Sequence, residues 1–246
     1  MTTRRTIVVP CYNEAARLDV AALVGLASQA EARVLAVDDG STDATGALLI
    51  AAAAAHPDRF GVVSRPTNGG KGEAVRDGLL AAIDAGAELV GYYDADMATP
   101  PAEMARLLHE LAADDRRDVV IGSRVGLLGH DIERSPWRHY LGRLFATASG
   151  VALGLAVYDT QCGAKALRVT PALRCALARP FRSRWAFDVE LLGRLLDAGV
   201  APAAFVEIPL RTWRDVGGSK LGAASALAAG RDVVRVGWTR RRRSRG

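Results

Sequence analysis

Cysteine is scarce in this chain: Cys11, Cys162 and Cys175 are odd in number and lack the spacing of a metal site. That argues against a disulfide framework or a zinc centre and points to a reducing compartment. The four histidines, His56, His109, His130 and His139, are scattered, which removes a histidine metal cluster. Long apolar runs are also missing. The longest uncharged stretch, Leu144 to Tyr158, has 15 residues, short of the roughly 20 that a membrane span needs. The opening MTTRRTIVVP carries no signal-peptide pattern, so the expected location is cytoplasmic. A Walker-type phosphate loop is absent too, because Lys71 is followed by Gly72 and not by Ser or Thr.

What is present describes an ordinary globular protein, 246 residues with 50% apolar and 24% charged side chains. The net charge of +5 is concentrated in Arg240, Arg241, Arg242, Arg243 and Arg245. Without those five, 27 cationic side chains face 27 acidic ones, and the body is neutral. Such a tail is compatible with a solvated end, with attachment to anionic lipid, or with nucleic acid. A neutral body without a recognition motif speaks against nucleic acid.

Short β-rich runs alternate with helical patterns through the first half. The strands are expected at Thr6–Pro10, Arg33–Asp38, Phe60–Arg65, Glu88–Asp94 and Asp118–Ser123. Helices are expected near Glu14–Ser28, at Asp43–His56 with Asp43 as a cap, at Gly72–Ala85 and at Pro101–Ala113. This alternation predicts an α/β fold with a mostly parallel, doubly wound sheet. Ligands of such sheets bind at the carboxyl ends of the strands. There the chain places Pro10-Cys11-Tyr12-Asn13-Glu14, Asp38-Asp39-Gly40-Ser41, Asn68-Gly69-Gly70-Lys71-Gly72, Asp94-Ala95-Asp96 and Gly122-Ser123-Arg124. Any one of these could be a turn or a cap; five on one edge are hard to dismiss.

Asp94 and Asp96 are two apart, so on an extended strand both carboxylates point one way and repel unless a cation joins them. Oxygen ligands favour Mg²⁺ or Mn²⁺, with substrate phosphates completing the shell. Lys71 in its glycine-rich loop adds a positive group where backbone can approach closely. The ensemble suits a nucleotide diphosphate.

The strings VVPCYNEAARL, VDDGSTDAT, NGGKGEAVRDGLLAA and DADM resemble the nucleotide-diphospho-sugar domain of family 2 inverting glycosyltransferases, which have the GT-A fold. IGSR, RSPWRHY, YDTQCGAKALR, RWAFDVELL and EIPLRTWRDVGGSKL extend the likeness to the dolichyl-phosphate β-glucosyltransferase group. It covers Thr6 to Leu221, so residues 1–221 form the expected catalytic domain, and 222–246 a C-terminal helix with the polybasic tail.

The resemblance implies that Pro10, Tyr12, Glu14, Asp39, Lys71 and Ala95 contact the nucleotide, and that Asp94 and Asp96 hold the cation. It implies that Arg124 and Arg138, with Arg134 as a competitor, meet an acceptor phosphate. Gln161, Trp185, Asp188, Ser219 and Lys220 become candidates for the sugar or acceptor. Two positions depart from the family pattern: Met97 stands where a glycine is common, and Ala164 where an aromatic is common.

The implied reaction moves a sugar, glucose from UDP-glucose by resemblance, to a polyprenyl phosphate. GDP-mannose and UDP-amino-sugar or galactose-type donors remain open, as does a non-enzymatic nucleotide-sugar-binding regulator. A polysaccharide synthase fits less well, because Phe181 replaces the glutamine of Q-x-x-R-W. The chemistry matches a missing residue type. A phosphate monoester with a second pKa near 6 is already mostly a dianion at neutral pH and needs no base. Apolar positions Trp137, Leu141, Leu144, Phe145, Ala148, Ala152 and Leu155 form a stripe on a helix expected at Ser135–Leu155. That stripe suits either packing on the body or a lipid interface, with Trp137, Tyr140 and Arg143 at headgroup level. A weaker stripe, Leu227, Val234 and Trp238, leads into the tail. Together these predict a peripheral position on the cytoplasmic face of a membrane.

Overall fold

The computed structural model describes residues 4–133, 136–183, 186–215, 230–233, 235 and 237. Strand β1 (Arg5–Cys11) is flanked by β2 (Arg33–Asp38) and β4 (Leu89–Tyr93), and β3 (Phe60–Ser64) lies outside β2. Beyond β4 come β7 (Ala164–Arg168), β5 (Val119–Ser123) and β8 (Phe205–Pro209), giving the order β3-β2-β1-β4-β7-β5-β8. All neighbours pair in parallel except β7, which runs antiparallel to both β4 and β5. A small parallel pair, β6 (Asp131–Glu133) and β9 (Thr212–Arg214), stands apart.

The central strands are buried on both faces, as their β-branched sequences require. Side chains divide with period two: Ile7, Val9 and Cys11 pack on one side of the sheet and Val8 on the other. Helices α1 (Val20–Gln29), α2 (Thr45–Ala55) and α4 (Pro101–Ala112) cover the first side through Leu23, Leu49 and Leu107. Helices α3 (Lys71–Asp84), α5 (Pro136–Leu153), α6 (Pro171–Leu177) and α7 (Phe187–Asp197) cover the second through Val75, Leu153, Leu173 and Leu191. The doubly wound expectation is met.

Some local expectations need correction. The first helix begins at Val20, because Asp19 accepts the amide of Ala22 as N-cap and residues 15–17 form a turn. Helix α2 starts after Ala44; Asp43 sits one residue earlier and accepts the amides of Thr45 and Ala15. The expected strand through Asp94 stops at Tyr93. The expected apolar stripe splits: Phe145 and Ala152 on α5 and Leu155 just beyond it pack on the body, while Leu144 is 70% exposed.

Of the C-terminal region, Val233 is buried in the same cluster as α3 and α7, and Asp232 accepts the hydroxyl of Ser183. The expected boundary at 221/222, Leu227, Val234, Trp238 and the arginine tail lie outside the described residues.

Candidate active site

Because β7 is antiparallel, it begins at the edge where β1, β2, β4 and β5 end. The segment Asp159–Gly163 thereby joins the strand-end loops, which the sequence placed there by the parallel-sheet rule alone. The amide of Asp94 donates to the carbonyl of Gly163 at 3.1 Å. Gly163 lies so close that a Cβ there would stand 2.0 Å from Oδ2 of Asp94 and would push that carboxylate aside.

Asp94 to Met97 form a turn, closed by the Met97 amide on the Asp94 carbonyl at 3.3 Å. The two carboxylates therefore do not share a strand face, as expected from spacing; the turn still brings their charges together. Oδ1 of Asp96 accepts the amide of Ala98 at 3.1 Å. Burial and the negative charge of Asp94 raise the Asp96 pKa above the ordinary carboxylate value. Met97 takes φ 54°, the left-handed region that favours glycine. Ala164 belongs to the core at the start of β7 and not to the crevice.

Nζ of Lys71 stands 2.6 Å from Oδ1 of Asp94. Burial works to lower the lysine pKa, but the charges of Asp94, Asp188 and Asp96 outweigh it and the net direction is upward. The lysine is the first residue of α3, after Gly70 at φ 91°. Asp39 fixes this loop: its two oxygens accept the amides of Gly69 at 2.9 Å and Gly70 at 2.8 Å, and Arg65 pairs with it at 3.0 Å. Asp39 is 2% exposed. Its visible task is thus to hold the glycine loop, in addition to the nucleotide contact expected of it.

Tyr12 is 39% exposed at the end of β1, next to the buried Cys11. Glu14 donates its amide to Oγ1 of Thr45 at 2.8 Å and pairs through both carboxylate oxygens with Arg17. The Arg17 pKa is raised, first by that hydrogen bond and further by Glu14, Asp96 and Asp94. Arg17 escaped the sequence reading, although its spacing of three from Glu14 was a usable signal.

Arg124, at the end of β5, makes a bidentate pair with Asp159, Nε at 2.6 Å and Nη2 at 2.8 Å, over the ring of Trp213. Glu207 steadies the partner by accepting the amides of Tyr158 and Asp159 at 2.7 and 2.6 Å. Beside this pair Oγ of Ser123, Oγ1 of Thr160 and Nε2 of Gln161 are buried without a hydrogen-bond partner among the described residues. Asp188, expected to meet sugar or acceptor, is 4% exposed. It accepts from Tyr92 and from the fully buried Lys165, whose Nζ also reaches the Cys162 carbonyl at 2.6 Å. It supports the floor of the crevice. Arg134, Trp185, Ser219 and Lys220 lie outside the described residues, as does the side chain of Arg138, a position within α5.

Taken together, the sheet order and the acidic pair at its carboxyl edge describe a GT-A glycosyltransferase fold. The glycosyl transferase family 2 profile matches residues 6–172, and the chain belongs to that family. It is an enzyme of the glycosyltransferase class. It is 32% identical over 232 residues to the polyprenol monophosphomannose synthase of Mycolicibacterium smegmatis, covering 93% of this chain and 84% of the relative. It is 35% identical over 258 residues to the dolichyl-phosphate beta-glucosyltransferase of Drosophila melanogaster, covering 96% and 74%. Among solved structures, glucosyl-3-phosphoglycerate synthase from Mycobacterium tuberculosis, in complex with Mn²⁺, UDP and glucosyl-3-phosphoglycerate, has the same fold. The TM-score is 0.68 at 21% identity, over 97% of this chain and 80% of that one.

Proposed function

We propose that the protein transfers a hexose from a nucleoside-diphosphate sugar to polyprenyl phosphate, with inversion at the anomeric carbon. The observation that carries this reading is the acidic pair Asp94/Asp96 beside the cations of Lys71 and Arg17. It occurs in a chain related over more than nine-tenths of its length to enzymes named for polyprenyl or dolichyl phosphate.

Asp94 and Asp96 suit a divalent cation, Mg²⁺ or Mn²⁺: burial, and after it the negative charge of Asp94, raise the pKa of Asp96, and a cation relieves that repulsion. No group of three or more His, Cys, Asp or Glu stands ready among the described residues, and Mg²⁺ commonly takes one or two carboxylates plus phosphate oxygens. Such an ion would neutralise charge on the departing diphosphate. Pro10, Tyr12, Glu14 and Ala95 are assigned to the nucleoside, and Lys71 to the diphosphate. Arg124 engages Asp159 through its Nε–Nη2 edge, and its remaining side is assigned to the acceptor phosphate together with Arg138. The unpartnered Gln161, Thr160 and Ser123 are assigned to sugar hydroxyls or phosphate oxygens.

An acceptor oxygen, already ionised, attacks the anomeric carbon opposite the nucleotide. The new O–C bond forms as the old C–O bond breaks, and the diphosphate leaves with the electron pair. No proton has to be removed. For the lipid chain, an open groove of about 520 Å³ runs between α5 and the Leu155–Tyr158 segment, with Gly150, Val151 and Val157 in its lining. Arg143 stacks there 3.8 Å from the centre of the Tyr158 ring. No described helix is long and apolar enough to cross a membrane. The protein is assigned to the cytoplasmic surface of a membrane because its relatives are named for polyprenyl or dolichyl phosphate.

UDP-glucose is the assigned donor. GDP-mannose is the second reading, because the mannose-named relative matches about as well as the glucose-named one. The test presents polyprenyl phosphate in anionic vesicles with Mg²⁺ and labelled UDP-glucose, GDP-mannose, UDP-galactose or UDP-N-acetylglucosamine. Label should enter a lipid product from UDP-glucose; entry from GDP-mannose alone selects the second reading. No lipid product from any donor would end the proposal.

A further inference from the structure

The Asp94 carboxylate that the proposed cation needs is held through Oδ1 by the Lys71 ammonium at 2.6 Å. Two positive groups side by side on one carboxylate repel each other, so the lysine and a divalent cation compete for it. The lysine is not there by accident of a loose side chain. Its helix start is set by the Asp39 clamp on Gly69 and Gly70. The next residue, Gly72, packs on Phe187 so tightly that a Cβ would lie 2.8 Å from the Phe187 Cβ. The Phe187 ring in turn sits 5.9 Å from Nζ. The stem remains flexible enough to carry a point charge from one anion to another.

We propose that Lys71 is an exchangeable counter-ion that couples donor and cation binding. Paired with Asp94, it opposes a divalent cation arriving alone. The diphosphate of a nucleotide sugar draws the ammonium away and frees Asp94 for the cation. The two ligands then bind cooperatively, and by linkage each tightens the other by the same factor. The inference rests on the metal role proposed above for Asp94 and Asp96. It adds that the lysine, besides touching phosphate, sets the order in which charge enters the site.

The test is Mn²⁺ titration of the full chain, with free ion read by electron paramagnetic resonance, in the absence and presence of UDP or GDP. In the unsubstituted protein the nucleotide should tighten Mn²⁺ at least about tenfold, a coupling of ordinary allosteric size. Lys71→Met should bind Mn²⁺ alone about tenfold more tightly than the unsubstituted protein and lose that same factor from the coupling, keeping the part that diphosphate oxygens on the ion supply. Lys71→Gln, equally uncharged but polar, should do the same, which guards against a folding defect peculiar to methionine. Lys71→Arg keeps the charge and should keep Mn²⁺ alone weak. Asp96→Ala identifies the ion's place. If Asp96→Ala removes Mn²⁺ binding but neither neutral variant tightens it, the counter-ion role is overturned and the metal role stands. If Mn²⁺ binding ignores Asp96→Ala in every background, both fall.

Discussion

Asp96→Ala should lower turnover by roughly 10²–10³-fold, the equivalent of the several kcal/mol that a bound cation contributes to a charged transition state. The carboxylate is partly buried, its pKa is raised by burial and by Asp94, and its Oδ1 accepts the amide of Ala98. Little of the fold depends on it, so the melting temperature should stay within a few degrees. The loss should appear in kcat as well as in KM, because diphosphate charge grows as the glycosidic bond breaks. Steady-state rates with saturating donor check this. A variant that retains more than a tenth of its turnover would remove Asp96 from the chemistry.

Lys165→Met should destabilise the protein by about 3–5 kcal/mol, the usual cost of breaking a buried ion pair by removing one partner. Lys165 is fully buried and Asp188 nearly so, with Nζ 2.5 Å from Oδ1. The substitution leaves a carboxylate in the core with the Tyr92 hydroxyl as its remaining neutral donor. For a chain of this size that loss lowers the melting temperature by roughly 6–20 °C. Lys165→Met combined with Asp188→Leu should recover much of it, since a well-packed apolar replacement of a buried pair is often near neutral. Differential scanning calorimetry of Lys165→Met, Asp188→Leu and the double variant decides the matter. Additive losses would show that the two side chains act separately.

Most of the site's position was legible because parallel βα units have one carboxyl edge, and the strand-end strings of β1, β2, β4 and β5 all fall on it. The reversal of β7 was not legible. Ala164–Arg168 reads like any short buried strand, and its direction is set by the long excursion through α5, not by its own residues. The pairing of Arg124 with Asp159 depends on that reversal, so the arginine looked free in the sequence. Lys165 left a usable trace, as a charge flanked by apolar residues within a strand needs a buried partner. Asp188 was singled out through its motif, yet only packing of α7 under the sheet edge reveals it as that partner. The Asp94–Asp96 turn escaped because spacing on an extended strand was assumed, whereas Met97 turns left-handed after it.

The central claim is that the acceptor is a lipid phosphate that attacks without a general base. Its most direct test gives the purified protein equal amounts of polyprenyl phosphate and free polyprenol of the same chain length, with labelled UDP-glucose or GDP-mannose and Mg²⁺. The account predicts that label enters only the phosphate-linked lipid. The rate should fall as pH drops below about 6, where the phosphate dianion is lost. Transfer to free polyprenol at a comparable rate would contradict it, because a hydroxyl acceptor requires a base to take its proton.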